Sequence, residues 1–258
     1  MVAGYAPMWD APAWVGAWMT TREGGQGVPP YDGFNLADHV GDDPAVVAQH
    51  RAQLAAHVQR PLALLRQVHG HAVCQRGLHN LSQQPQADAQ FTRERGLALA
   101  IGVADCLPVL WAHRQVPVVA ASHAGWRGLA AGVLERTLAH MAQAIGQTPE
   151  ACAAQCAVWL GPCIGPTAFE VGAEVVNALQ PMTPLTCRPH ATRPNKWLLN
   201  LPALARQSLQ RLGVAQPQGN DGSDPWCTVG NRARYFSHRR DGTAQGGTGR
   251  MLACVWLG

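Results

Sequence analysis

Three apolar segments follow one another almost without a break in the middle of the chain, and they restrict the possible folds more than any other feature. Residues 96–106 (GLALAIGVADC), 107–113 (LPVLWAH) and 116–123 (VPVVAASH) each have the length of a strand and lack the alternation of a surface strand. Strands of this kind are covered on both faces. The sequence therefore predicts a sheet that lies inside the molecule.

The segments around this core have the patterns of helices and of further strands. Asp43 and Pro44 give a capped start to a first helix, and apolar residues recur at helical spacing from Trp126 to Ile145. Further helices are predicted at 168–179 and at 199–214, the latter capped by Asn200. Further strands are predicted at 13–22, 63–73, 157–165 and 250–257.

The order of these elements indicates the fold class. Strands and helices are mixed without a regular βαβ repeat, and no Pro/Gly/Ser-rich linker divides the chain. A chain of 258 residues is long enough to bury a full core. We therefore expect an α+β protein with one compact domain over residues 1–258, in which mixed β-sheets pack centrally and helices flank them.

Composition excludes several classes of protein. No apolar run approaches the roughly 18 residues that span a bilayer, and the N-terminus lacks the pattern of a signal peptide, so we expect a cytoplasmic protein without a membrane partner. The 8 cysteines are then thiols or metal ligands. The net charge of +4 comes from scattered arginines, which favours a small anion such as phosphate over nucleic acid. A genomic preference for arginine explains the same composition equally well.

Residues able to carry chemistry stand where the predicted strands end. His69 lies in QVHGH, Asp105 and Cys106 end the first apolar segment, and His123 ends the third, VPVVAASH. If these strand ends are neighbours, two imidazoles and a thiolate form a zinc site with an open fourth position. The ligands are 37 and 17 residues apart, which matches no short zinc motif.

This spacing leaves other interpretations of the same residues open. His71 shares a face with His69 on a regular strand and can replace or join it. Cys106 can be a core residue, or a metal-free nucleophile activated by a histidine. A multicopper oxidase needs many paired histidines, whereas the chain has 11 histidines and a single His-x-His, so a true laccase mechanism is not expected.

Six ordered blocks carry a resemblance to a known family. TTREGG with FNLADHVGDDP, QVHG, ADC-LPV, SHAGWRG, LGPCIG with FEVG, and FSHRRDG with TGR occur in that order over almost the whole chain. The chain resembles the laccase-domain family, also called YfiH-like or peptidoglycan-editing factor proteins. The resemblance implies an α/β/β/α-like domain and a zinc ion bound by His69, Cys106 and His123, with copper as a possible substitute.

The resemblance also implies an activity. It points to a purine nucleoside phosphorylase that acts on adenosine, inosine and methylthioadenosine with phosphate and that deaminates adenosine, as zinc deaminases with mixed His and Cys ligands do. The catalytic group is then the three ligands with Asp105, which can shuttle a proton. No obligate protein partner is implied. The candidate substrate and phosphate contacts are Asn35, His39, Arg22, Arg51, Arg127 and Arg240.

Two alternatives to this enzyme remain, besides a protein that only binds ligands. One is a metal-free Cys-His hydrolase that acts on an amide or a cell-wall precursor, and the other is a copper-dependent polyphenol oxidase. The sequence also departs from the family pattern at Ala37, His50, His238 and an additional AQGG at 244–247. None of these departures falls on the proposed metal ligands.

Overall fold

The structure, a computed structural model, describes residues 2–179, 181 and 183–258. Its helices are α1 Pro44–Val58, α2 Trp126–Ala130, α3 Val133–Ala144, α4 Pro149–Ala154, α5 Ala173–Ala178, α6 Leu201–Arg211 and α7 Thr243–Gln245. Its strands are β1 Gly4–Tyr5, β2 Val15–Thr20, β3 Leu62–Ala63, β4 Val73–Gln75, β5 Ala89–Thr92, β6 Ala98–Val103, β7 Leu107–His113, β8 Val119–Ala124, β9 Cys156–Leu160, β10 Glu170–Val171, β11 Cys187–Pro189, β12 Trp197–Leu199, β13 Gln218–Gly219 and β14 Met251–Leu257.

Two mixed sheets form the centre of the molecule. The first has the strand order β1-β2-β14-β6-β3, and the second has the order β13-β9-β7-β8-β5-β4. The long strands pair antiparallel, whereas the short edge strands β3, β4 and β13 pair in parallel. A small third sheet has the order β10-β12-β11. The three apolar segments are β6, β7 and β8, and the chain changes sheets between β6 and β7.

The two central sheets pack face to face, because alternate side chains of the strands in each sheet point toward the other sheet and are buried there. Ile101 and Val255 of the first sheet and Leu110 and Val119 of the second belong to this middle layer and are fully buried. Helices α3, α4 and α6 cover the outer face of the second sheet, and α1 covers the outer face of the first. The layers follow the order α/β/β/α, which confirms the predicted fold class.

Local sequence signals placed several elements correctly. The side chain of Asp43 accepts a hydrogen bond from the Ala45 N–H at 2.8 Å at the start of α1, and Asn200 accepts one from Ala203 N–H at 3.1 Å at the start of α6. These side chains satisfy donors that the first helical turn leaves unpaired. Both predicted caps are therefore confirmed.

Three predicted elements were wrong in extent. The strand predicted at 63–73 is only β3 and β4 at its two ends, because residues 64–72 leave the sheet. The helix predicted from Trp126 to Ile145 is divided into α2 and α3 at Gly132, whose φ of +83° does not continue a helix. The helix predicted at 168–179 starts only at Ala173, because the preceding residues pair with β12 as β10.

The described residues, which exclude positions 1, 180 and 182, contain no helix that is both long and apolar enough to cross a membrane.

The middle layer yields a prediction for stability. Leu110→Ala removes a fully buried side chain between the two sheets, and we expect it to lower the free energy of unfolding by about 2–5 kcal/mol. The matched control is Leu185→Ala, because Leu185 is 81% exposed and its loss is expected to change stability by less than about 0.5 kcal/mol. Urea denaturation of both variants measures the difference, and equal midpoints would contradict the packing described.

Candidate active site

The first member of the candidate site is His69, which lies in a turn between β3 and β4. Its backbone φ is +60°, in the left-handed region that side chains rarely adopt. The fully buried carboxylate of Asp88 accepts hydrogen bonds from the N–H groups of Val68, His69 and Gly70 at 3.2, 2.9 and 2.6 Å. Three successive N–H groups donate to one carboxylate, and these hydrogen bonds fix the turn. Because the chain turns here and is not a regular strand, His71 does not share a face with His69.

The second histidine, His123, lies at the end of β8 and contacts the same carboxylate. The register of β5 and β8 pairs Ala89 with Ser122, which brings Asp88 beside His123. The Nδ1 of His123 lies 2.8 Å from Asp88 Oδ1, and the His123 N–H donates to the Asp88 carbonyl at 2.7 Å. A carboxylate at Nδ1 favours the proton there, so Nε2 is the ring nitrogen left to bind a ligand or a metal.

The third member, Cys106, lies in the short connection between β6 and β7. The preceding residue, Asp105, has a φ of +92°. Its two carboxylate oxygens accept hydrogen bonds from Thr228 Oγ1 at 2.5 Å and from the Arg239 N–H at 2.6 Å. These contacts hold the connection in place, and the Cys106 thiol then faces both histidines.

The three side chains form one compact cluster. Their donor atoms all lie within 4.8 Å of one another, and no other group of three such side chains occurs in the described part of the chain. The two imidazole rings are 4.9 Å apart between centroids at an angle of 74°. One metal ion with bonds of about 2.0–2.3 Å to N and S fits between such donors. The carboxylate behind His123 is the usual outer partner of a metal-bound histidine.

Electrostatics within the cluster favour the thiolate that a metal or an electrophile requires. Burial raises the pKa of the Cys106 thiol, but His123 and His69 outweigh burial and lower that pKa to about 6. Burial lowers the pKa of His123, but the Cys106 thiolate and the Asp88 carboxylate outweigh it and raise that pKa to about 9. The pair is therefore a thiolate and an imidazolium at neutral pH, and a metal that binds Nε2 displaces the imidazolium proton.

A glycine lets the chain pass close to the cluster. A Cβ at Gly125 would lie 2.9 Å from the Cys106 sulfur and 3.5 Å from Cδ2 of His69. The first distance is too short for any side chain. Gly125 is therefore required, because the start of α2 lies so close to the three metal-capable side chains.

The cluster lines a cavity of about 390 Å³, and the part of the lining that His69, Cys106 and His123 form is here called its floor. This volume is within the range of small-molecule sites. Apolar side chains line part of the wall, among them Leu64, Leu65, Ile164, Phe169, Leu201 and Leu252. Polar side chains line the rest, among them His39, Arg51, Arg127, His238, Arg239 and Arg250.

Three of the six predicted substrate contacts line this cavity. His39 lies exposed at its edge, and Arg51 lies beside it with its guanidinium 2.8 Å from the Asp38 carboxylate. Arg127 also lines the cavity and is exposed, with its guanidinium 4.3 Å from the centroid of the Trp126 ring. Each of these side chains lines the cavity and carries hydrogen-bonding nitrogens that can contact a ligand there.

Arg22 and Arg240 do not line the cavity, because both face Asp241. The guanidinium of Arg240 contacts the Asp241 carboxylate at 2.7 and 2.6 Å and also donates to backbone carbonyls, while Arg22 lies 3.7 Å from Asp241 and 2.9 Å from Asp32. Two arginines on one buried carboxylate form a structural ion pair. The prediction that they contact phosphate has no support from this geometry.

Asn35 is also absent from the cavity lining. Its side chain is fully buried, accepts from the N–H groups of Ala37 and Arg250, and donates to Asp42 at 2.8 Å. Asn35 therefore ties the segment that carries His39 to the start of β14. Asn35 can therefore affect the cavity only indirectly, by positioning the segment of His39 and the backbone of Arg250.

Sequence reasoning missed Asp88 and Arg250, the two polar residues that stand directly before β5 and before β14. The candidate metal ligands singled out in the sequence stand where predicted strands end, whereas both of these residues stand at strand starts. Local sequence contains no signal that would distinguish them from other polar residues there, because the pairing of strands decides what each one faces.

Comparisons with known proteins identify the family. Residues 16–258 match the family model described as multi-copper polyphenol oxidoreductase laccase. The chain belongs to this family. Within the laccase family it is similar to a protein of Shigella flexneri named purine nucleoside phosphorylase YfiH, with 42% identity over 97% of each chain. It is also similar to the purine nucleoside phosphorylase PA4543 of Pseudomonas aeruginosa, with 39% identity over 100% of this chain and 99% of that one.

A solved structure supports the same relationship. The crystal structure of Neisseria meningitidis protein NMB0706 is similar with a TM-score of 0.87 and 39% identity, over 98% of each chain. The laccase family description mentions several copper ions, whereas the described residues assemble one group of three metal-capable side chains. Two histidines and a cysteine suit a single zinc or copper ion.

The position of Asp88 leads to a prediction for metal affinity. Asp88→Asn keeps the shape of the side chain but removes its charge and an acceptor, so we expect the affinity for added Zn²⁺ to fall roughly 10- to 100-fold. Competition with a chromophoric chelator measures this affinity. Asp224→Asn, at an exposed aspartate, is the matched control. Unchanged affinity in Asp88→Asn would show that the carboxylate does not orient His123.

A second prediction concerns acid stability. Burial opposes ionisation of Asp241, but Arg240 and Arg22 outweigh burial and hold the pKa of this carboxyl below its ordinary value of 3.8. The ion pair therefore stabilises the protein above pH 3.8, and this contribution is lost as the pH falls through the lowered pKa. We expect Asp241→Asn to cost about 3 kcal/mol at pH 7 and progressively less below pH 4, measured by urea denaturation. A difference that stays constant down to pH 3 would contradict the assignment.

Proposed function

We propose that residues 1–258 form one catalytic domain of a zinc-dependent purine nucleoside phosphorylase that also deaminates adenosine. The observation that carries the proposal is the cluster of His69, Cys106 and His123 at the floor of a cavity, in a chain about 40% identical over its full length to relatives named purine nucleoside phosphorylase. The proposed substrates are adenosine, inosine and methylthioadenosine together with inorganic phosphate.

The chain's own residues have separate roles in this proposal. His69, Cys106 and His123 hold the metal, which supplies Lewis acidity and positive charge when bound. Asp88 orients both histidines through the four hydrogen bonds that its carboxylate accepts. A rigid donor set of this kind presents the metal to the substrate without rearrangement, which favours electrostatic stabilisation of developing charge.

The walls of the cavity suit the two halves of a nucleoside reaction. Apolar side chains such as Phe169 and Leu201 can cover a purine ring and exclude water, while His39, Arg51 and Arg127 lie on polar wall that can contact ribose and phosphate. Guanidinium groups bind phosphate through paired hydrogen bonds. A cavity with apolar and polar walls beside three metal-capable side chains fits a nucleoside better than it fits a uniformly apolar substrate.

Asp105 is the candidate for proton transfer. It lines the cavity beside Cys106, and each of its oxygens accepts one hydrogen bond, from Thr228 or from Arg239. Each carboxylate oxygen has a second lone pair, so the group keeps the capacity to accept a proton from a ligand. Its two fixed contacts also keep it in position during turnover.

A metal-free Cys-His hydrolase is the second candidate, and one observation favours it. The thiolate of Cys106 beside the imidazolium of His123 is the ion pair that activates cysteine nucleophiles. Such an enzyme would attack an amide or a cell-wall precursor and would retain activity without metal. Metal dependence therefore separates the two candidates, and exchange of zinc for copper tests the polyphenol oxidase alternative.

The decisive experiment is incubation of the purified protein with adenosine, in the presence and in the absence of phosphate. We expect adenine to form only with phosphate, inosine to form without it, and both activities to disappear with a chelator and return with Zn²⁺. Chromatography of the products measures each reaction. If the chelated protein is fully active, the zinc proposal is wrong, and if no nucleoside is bound or converted, the enzyme assignment fails.

Substitution of the thiolate tests the site itself. Cys106→Ala is expected to lose bound zinc and to reduce both activities by at least about 1000-fold, because it removes one metal ligand and the charge of the cluster. The matched control is Cys187→Ala, since Cys187 lies in β11 and lines no part of the cavity. Full activity in Cys106→Ala would exclude both the zinc site and the cysteine nucleophile.

A further inference from the structure

Arg250 differs from the other arginines that line the cavity. It stands directly before β14 and is half-buried, and in the described part of the chain no carboxylate lies within ion-pair distance of its guanidinium. Only its Nη1 has hydrogen-bond acceptors among the described residues, namely the carbonyls of Thr248 at 2.8 Å and Gly249 at 3.1 Å. The Nε and Nη2 groups remain available toward the cavity.

The other cavity arginines are already engaged or lie farther out. Arg51 is paired with Asp38 at 2.8 Å. Arg127 is exposed and lies over the Trp126 ring, and Arg239 is exposed and donates to backbone carbonyls at 168 and 170. Arg250 is thus the half-buried cation of this wall that forms no ion pair with a side chain of the described protein.

The backbone holds Arg250 in a fixed position. Its N–H donates to Asn35 Oδ1 at 2.9 Å, and its carbonyl accepts from the Leu36 N–H at 3.1 Å. The two carbonyls on Nη1 hold the guanidinium from the other side. A side chain that is held both at its backbone and at its guanidinium loses little conformational entropy when it binds an anion.

Arg250 also lies close to the proposed reaction centre, since it lines the same cavity as Asp105 and Cys106. Burial lowers the pKa of Arg250, while the nearby Cys106 thiolate and Asp105 carboxylate act in the opposite direction and favour its charged form. A half-buried guanidinium in this position gains more from an anionic ligand than an exposed one does, because the ligand replaces water that burial has removed.

We propose that Arg250 binds the inorganic phosphate that acts as nucleophile, an inference that rests on the proposed phosphorylase function. In this reaction a phosphate oxygen forms a bond to C1′ of the ribose, and the C1′–N9 bond breaks with its electron pair moving to the purine. The proton carried by hydrogen phosphate ends on the purine base, and ribose 1-phosphate is the other product. The planar guanidinium holds two phosphate oxygens and leaves a third free to attack.

The test compares Arg250→Gln and Arg250→Lys with the wild-type protein. In Arg250→Gln we expect the KM for phosphate to rise roughly tenfold or more and the KM for inosine to change less than twofold, because charge-assisted contacts to phosphate are lost. Arg250→Lys keeps the charge without the planar fork, so its KM for phosphate should lie between the two. Arg136→Gln, on the exposed face of α3 and away from the cavity, is the matched control.

Two further measurements separate this inference from the proposed function. Bound zinc and the melting temperature without phosphate should match the wild type in Arg250→Gln, which shows that the variant folds and keeps its metal cluster. Inorganic phosphate should raise the melting temperature of the wild-type protein but not that of Arg250→Gln. If the wild type binds phosphate without releasing purine, the phosphorylase function fails while the phosphate site stands. If phosphate stabilises both proteins equally and the KM is unchanged, the site at Arg250 is wrong.

Discussion

The carboxylate of Asp88 connects two parts of the chain that are distant in sequence, and the geometry of the cavity floor depends on it. It accepts three backbone N–H groups of the turn that carries His69 and pairs with Nδ1 of His123. A fully buried carboxylate with four donors has no unsatisfied charge to destabilise the core. One side chain thus fixes the direction of both imidazoles toward Cys106.

The layers of the fold create the conditions for this interaction. Strand β8 lies in the interior of the second sheet, and the register of β5 beside it determines that Asp88 faces His123. The connection from β6 to β7 carries the chain from one sheet to the other, and Cys106 lies in that connection. The cluster therefore forms where the two sheets meet, with helix α2 close above it at Gly125. The packing of the two sheets therefore also determines the geometry of the site.

Charge on the cavity walls is divided between structural and available groups. Asp38 pairs with Arg51 at the cavity, whereas Asp241 pairs with Arg22 and Arg240 outside its lining. Arg250 has only backbone acceptors on one nitrogen. In low-dielectric surroundings an unneutralised guanidinium attracts anions strongly, whereas a paired one contributes to stability. This division gives the cavity one strong anion-binding position rather than a uniformly basic wall.

The sequence by itself determined the buried strands β6, β7 and β8 and the caps of α1 and α6, because strand length, apolar pattern and cap chemistry are local properties. It also offered His69, Cys106 and His123 as candidate ligands, with His71 as an alternative, and the structure brings the three candidates together. The sequence could not determine that residues 64–72 leave the sheet, that Gly132 divides a helix, that Asp88 contacts His123 and the turn of His69, or that Arg250 lines the cavity while Arg22 and Arg240 do not. Those features depend on strand register and on the packing of one sheet against another. Such contacts join residues far apart in the chain, and only the tertiary structure selects them.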